Sequence, residues 1–247
     1  ADGSITTLKL GGNTSLTTLP ADIFATFTNL TTLELHGNTG LTTITADAFN
    51  NLTVTDLRLD GNTSLVTLPT NGFNGLTVSG TLQLDGNTAL TTISSGAFAG
   101  LTLTGNLRLD GNTSLATIPA DTFDGLTIGG DLQLNGNTGI TSLPADAFNG
   151  ITVTGTTRLD GNTSLSSINA TAFTGGTFNG TVCLDDNLAL TALSANGFNG
   201  LTIGSDLELQ NTGITTLIAN TFNGLTVTGN VKINNNSSLT SIAANSF

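Results

Sequence analysis

Few side chains in this sequence are equipped for acid–base, metal or nucleophilic chemistry, and most of them recur at a fixed spacing. The five cations are Lys9, Arg58, Arg108, Arg158 and Lys232. All fall in one column that reads Lys9, Glu34, Arg58, Gln83, Arg108, Gln133, Arg158, Cys183, Glu208, Lys232, at steps of 24 or 25 residues. Asp recurs two residues after this column, at Asp60, Asp85, Asp110, Asp160 and Asp185, and two before it, at Asp56, Asp131 and Asp206. Stacked carboxylates are hard oxygen donors of the kind Ca²⁺ takes. The run Asp-Gly-Asn fits neither an EF-hand loop nor the calcium-binding nonapeptide, so a tight Asx-type turn is its expected use. The sequence therefore calls for no cofactor, and Ca²⁺ is the one ion its pattern admits. Cys183 replaces Arg or Gln in the column and is expected to be a partly exposed thiol, free or linked to a second chain. A lone Cys excludes an internal disulfide framework and a Cys-rich zinc site. His36 stands in the Asp60 position beside Glu34, as a solvated substitution, and a single His excludes multi-His metal sites. No Ser-His-Asp or Cys-His set is present, and GNTS lacks the Lys and following helix of a phosphate loop. The chain reads as a non-enzyme.

Short strands must carry this column. An apolar-x-apolar triplet begins at Leu8, Leu33, Leu57, Leu82, Leu107, Leu132, Thr157, Val182, Leu207 and Val231. Its in-out-in alternation is that of a strand, with the charged column outward. Three residues later an Asn recurs, giving Asn13, Asn38, Asn62, Asn87, Asn112, Asn137, Asn162, Asn187, Asn211 and Asn236. Asn211 stands one residue early, which we ascribe to a missing Gly in that turn. An Asn in every turn predicts a buried ladder whose amides satisfy backbone groups of a tight bend and of the next turn. One Phe per turn follows, from Phe24 and Phe49 through Phe222 and Phe247, and these are expected to stack as an internal spine. Gly80, Gly105, Gly130, Gly155, Gly180 and Gly229 precede strands and predict sharp corners. Residues 1–247 thus read as one mainly β solenoid of ten turns, with no linker and no second domain.

These columns resemble the leucine-rich-repeat family: LTTLELHGN from Leu30 and VTDLRLDGN from Val54 follow its LxxLxLxxN pattern. The resemblance covers all ten turns. It implies a right-handed coil with a parallel sheet on a concave face, and a concave face that binds proteins. Two departures point to a flatter, more β-rich coil: an extra residue after the Asn, and an extra Gly before the strand. The Thr-, Gly- and Asn-rich convex segments argue against long helices. A parallel β-helix is the alternative fold.

Composition limits the partners. A net charge of −12 with five cations excludes nucleic-acid binding, which needs clustered Lys and Arg. Charged residues make up 9% of the chain, and Met, Trp and Tyr are absent. This suits a durable extracellular or cell-surface material. No apolar run is long enough to span a membrane, and no charged-then-apolar leader opens the chain, although Ala1 fits a terminus left by cleavage.

Both end turns are as apolar as the interior. Ile5, Leu8, Leu10, Phe24 and Phe27 lie in the first turn, and Val231, Ile233, Leu239, Ile242 and Phe247 in the last. From Leu8 to Val231 is 223 residues, and a further step of 24 returns the column in phase with Leu8. Solenoid ends are normally atypical and polar. The expected function is therefore a structural protein that assembles head to tail into a filament, these ten residues forming the polymer interface. The alternative is a cell-surface adhesion or protein-binding module using the charged column, with surface proteins or glycans as partners. Of the Asn-x-Ser/Thr sequons, Asn29, Asn51, Asn169 and Asn179 are the expected glycosylation sites, because the others mostly coincide with the ladder. Outward Thr rows such as Thr53/Thr55 and Thr102/Thr104 are expected to serve as β-formers and hydroxyl ladders, with O-glycans or ice as alternative ligands.

Overall fold

The computed structural model describes residues 4–247; Ala1 lies outside them. Among the described residues there is no helix, and the regular structure consists of short parallel strands. The triplets, from Thr7–Lys9 through Thr32–Glu34 and Asp56–Arg58 to Leu207–Glu208 and Val231–Lys232, form one ten-stranded sheet. Its register keeps every column intact: Leu8 pairs with Leu33, Leu33 with Leu57, and Leu207 with Val231. A second, eight-stranded sheet runs from Thr53–Val54 to Thr226–Val227. Two-residue ladders, such as Thr18–Leu19 with Thr43–Ile44, line a third side. β-branched residues favour this pleated geometry. Thr faces out, as at Thr53, Thr102 and Thr202, while Val54, Leu103 and Ile203 face in. The coil is thus β-rich, as the Thr- and Gly-rich segments led us to expect.

Apolar columns fill the interior: Leu33, Leu57, Leu82, Leu107 and Leu132 are fully buried. The Phe spine is continuous. From Phe24 to Phe247, successive rings stand 5.1–6.0 Å apart with interplanar angles of 2–19°, within the range of favourable stacking. The spine has one irregularity. Where other turns carry Leu52, Leu76 or Leu201, the seventh has Gly176, and Phe178 turns its ring edge-on to Phe148 and Phe173 at 6.2 and 5.9 Å. A Cβ on Gly176 would lie 2.7 Å from that ring.

The corner glycines work differently from expectation. None of Gly80, Gly105, Gly130, Gly155, Gly180 and Gly229 has a positive φ. They are required because successive turns touch: a Cβ on Gly105 would collide with the carbonyl of Gly80. Left-handed geometry is needed elsewhere, two residues before every Phe of the spine except Phe173, where Asp and Asn recur with one Gly. Asp47, Asn71, Asp146 and Asn196 have φ of 57–59°, a region that short polar side chains tolerate.

Candidate functional sites: the polar ladders, the charged face and the two ends

The Asn ladder is built as its spacing predicts. The Nδ2 of Asn38, Asn62, Asn87, Asn112, Asn137 and Asn162 donates to the carbonyl three residues earlier, at 2.7–2.8 Å. Each Oδ1 from Asn38 to Asn162 accepts the backbone N–H of the ladder Asn one turn before, at 2.6–2.8 Å. Asn38 to Asn187 are fully buried, so these bonds satisfy groups that water cannot reach. Asn13 and Asn236 end the ladder, Asn13 exposed and Asn236 half-buried.

Asn211 is not a ladder residue. It is exposed at φ 51°, the place that Gly111 holds at φ 69° in its own turn. Thr212 takes the ladder position, with its N–H and Oγ1 both 2.6 Å from Asn236 Oδ1. The residue missing from that turn therefore lies after the ladder, not before it. Next to this substitution the chain of bonds breaks, and the buried Oδ1 of Asn187 has no partner.

Two further polar ladders escaped the sequence reading. Asp56 Oδ1 accepts the Thr81 N–H, Asn106 that of Asp131, and Asp131 that of Thr156, each at 2.8 Å. At another corner Asn50 donates to Asp22 at 3.0 Å and Asn74 to Asp47 at 2.9 Å. Their signal was available as Asx residues recurring two before the outward residue in half of the triplets and directly after six of the spine Phe residues. Hydroxyl ladders also form, as where Thr42 and Thr240 donate to the carbonyls of Thr17 and Thr215.

The charged column lies in register along the ten-stranded sheet, with Lys9 opposite Glu34, Arg58 opposite Gln83, and Glu208 opposite Lys232. Each arginine pairs with an Asp of its own turn, Arg108 also with one of the turn before, and both lysines pair with acids of the neighbouring turn. Arg58 binds both carboxylate oxygens of Asp60 at 3.0–3.1 Å and reaches Gln83 at 3.2 Å. Arg108 bridges Asp110 and Asp85, at 3.3 and 3.5 Å, and Arg158 meets Asp160 at 3.3 Å. Lys9 pairs with Glu34 at 3.0 Å, and Lys232 with Asp206 and Glu208 at 2.7 and 2.8 Å. Hydrogen bonding to Asp60 and Asp110 raises the pKa of Arg58 and Arg108. Burial, with Asp110 and Asp60 nearby, raises that of Asp85 against the pull of Arg108. The bond from Lys232 lowers that of Asp206.

Two column predictions need correction. Cys183 is buried, 7% exposed, between Arg158 and Glu208 in the register of the sheet. Burial first, then nearby acids, pushes its thiol up to about 12. We expect it to resist alkylation in the folded protein near neutral pH and to react once denatured, as mass spectrometry can follow. Between its ordinary value near 9 and about 12, the unfolded thiol ionises and the folded one does not. Stability therefore falls as pH rises through that window. His36 is half-buried against Gly11, and its Nδ1 is enclosed without a partner.

Among the described residues, Cys183, Asp185 and Glu208 form the one set of three potential ligands with atoms within 4.8 Å of one another. Asp185 already accepts two bonds from Gln210, at 2.6 and 3.1 Å, and Glu208 binds Lys232. The Asp60–Asp85–Asp110 stack forms no such set. Asn29, Asn51, Asn169 and Asn179 are all exposed.

The ends differ from the interior. At the first turn Leu8, Leu10, Leu16 and Phe27 are half-buried and Ile5 is 36% exposed. A cleft of about 410 Å³ opens there between Leu10, Leu16, Leu19, Pro20, Ile23 and Phe24. Phe24 itself is buried, 2% exposed, beneath Phe27 at 6.4 Å. Phe27 occupies the column of Leu52 and is not an added side chain. At the last turn Val231, Ile233 and Leu239 are half-buried, while Ile242 and Phe247 are 59% and 70% exposed.

With this geometry in hand, a leucine rich repeat family model matches residues 3–63, and a model of the BspA type leucine rich repeat region matches residues 141–247. The chain belongs to the leucine-rich-repeat family. No curated protein matches this leucine-rich-repeat chain in sequence. Among solved structures it is similar to a chain of the glycosylated Toll–Spatzle complex of Drosophila, at 20% identity and a TM-score of 0.59. The match takes in 98% of this chain and 35% of that one, a likeness of fold. No helix among the described residues of this repeat protein is long and apolar enough to cross a membrane.

Proposed function

We propose that this leucine-rich-repeat chain is a non-enzymatic, extracellular module that binds a second copy of itself end to end and so builds a filament. One observation carries the reading: the apolar columns that run through the core reach both end turns in the same places, and several of their side chains, such as Ile5, Ile242 and Phe247, are exposed there. Leu8, Leu10, Leu16, Leu19 and Phe24 at one end belong to the columns of Val231, Ile233, Leu239, Ile242 and Phe247 at the other. Ile5 likewise continues the column of Val227. The cleft beside Leu10, Leu16 and Leu19 lies where Ile233, Leu239 and Ile242 of a stacked copy arrive. The Asn ladder supports the same contact, since in a stacked copy Oδ1 of Asn13 would meet the N–H of Asn236 as each interior Oδ1 meets the N–H of the turn before it. Burying several hundred Å² of apolar surface at about 25 cal/mol per Å² gives several kcal/mol before association costs. Each copy would add ten strand spacings, about 48 Å.

Electron microscopy tests this reading, with filaments expected. Ile242→Lys, at an exposed end position, is expected to leave the fold intact and abolish them. Dispersed particles of wild-type protein at high concentration would overturn the reading. A second reading, adhesion through the charged face, is supported by family membership and by a fold neighbour solved as part of the Toll–Spatzle complex. Under it, Arg108→Glu with Arg158→Glu abolishes binding to a surface protein or glycan and spares assembly.

A further inference from the structure

We propose that the end-to-end contact is gated by salt through Lys9 and Lys232, an inference that rests on the stacking reading above. The charged column takes nine steps within the chain, and none sets two cations side by side. They run Lys9–Glu34, Glu34–Arg58, Arg58–Gln83, Gln83–Arg108, Arg108–Gln133, Gln133–Arg158, Arg158–Cys183, Cys183–Glu208 and Glu208–Lys232. A copy stacked in phase continues the column from Lys232 to Lys9 of the next copy. That step alone is cation to cation, about 4.8 Å between backbones. Like charges directly opposite on neighbouring strands repel. Among the described residues neither lysine has an acid across the contact, because their carboxylates lie on their own side of it: Glu34 for Lys9, Asp206 and Glu208 for Lys232. Lys9 is the more open of the two, with a side chain 69% exposed. The apolar end faces favour association, and this pair opposes it until ions screen it. The screening length falls from roughly 30 Å at 0.01 M salt to roughly 3 Å at 1 M.

The charge of the whole chain sharpens the test. Each copy carries −12, so salt also weakens repulsion between whole molecules. Lys9→Gln and Lys9→Glu make that charge more negative while removing the lysine pair, so the two origins predict opposite outcomes. The experiment measures, by light scattering of the full chain, the lowest protein concentration that assembles, across a sodium chloride series, with filaments checked by microscopy. Wild type is expected to show roughly a tenfold fall in that concentration over about 0.01–1 M salt. Lys9→Gln is expected to assemble at low salt about as readily as wild type does at high salt, with little salt response left, and Lys9→Glu more readily still. Variants that need as much salt as wild type, or more, overturn the gating and leave the stacking intact. Absence of assembly in wild type and both variants at every salt concentration overturns the stacking reading itself.

Discussion

Replacing Asn112 by Ala is expected to cost about 2–6 kcal/mol in urea unfolding, as two enclosed backbone groups each lose a partner at about 1–3 kcal/mol. Those groups are the Leu109 carbonyl, bound at 2.7 Å, and the Asn87 N–H, bound at 2.8 Å. No water reaches the site, since Asn112 is fully buried. In a solenoid each turn is supported only by its neighbours, so the loss in mid-chain is expected to broaden the transition as well as lower its midpoint. Asn211→Gly supplies the contrast. That residue is exposed in a left-handed conformation that Gly adopts freely, and its replacement is expected to change stability by about 0.5 kcal/mol or less. Equal losses at the two positions would mean that the ladder had been assigned to the wrong residue of that turn.

The second large effect concerns Gly176 and Phe178. Phe178→Val removes a fully buried ring that fills the space left by the missing Leu, and about 2–4 kcal/mol is expected to go with it. Gly176→Leu alone drives a side chain into that ring, at a cost of about 1–3 kcal/mol or more. Together they recreate the Leu–Val pairing that the same chain holds at Leu52 with Val54 and at Leu76 with Val78. The double variant is therefore expected to unfold within about 1 kcal/mol of wild type, a strong coupling for residues in contact. Simple additivity of the two losses in thermal or urea unfolding would refute the compensation.

Periodicity made the columns legible. Because every turn must stack on the next, a residue at a 24- or 25-residue step can only lie over its counterpart. That alone predicted the triplet sheet, the Phe spine and most of the Asn ladder. What the spacing left open were local exchanges between neighbouring positions. Asn211 and Thr212 traded roles because Asn serves either in the ladder or in a left-handed bend, and one deleted residue fits on either side. Phe178 turned inward over Gly176, a compensation visible only when two columns are read together. Cys183 was misjudged because its outward backbone position says nothing of the side chains on either side. The corner glycines were given the right place and the wrong cause, since the approach of stacked backbones is a property of the coil and not of the single turn. At the candidate site, the apolar residues of the two end turns were legible through the same columns, whereas the pairing of each arginine with an Asp of its own turn, and of each lysine with acids of the neighbouring turn, emerged only from side-chain geometry.

The direction of the strand pairing has a mechanical corollary. Hydrogen bonds between turns run along the axis of the coil, so tension on the two ends loads those bonds directly. A turn of 25 residues stands about 4.8 Å tall when coiled and spans about 85 Å when drawn straight. Each turn that yields thus lengthens the chain by many times its own height, and its neighbours remain wound. A chain of such turns behaves as an extensible tether that absorbs work one coil at a time.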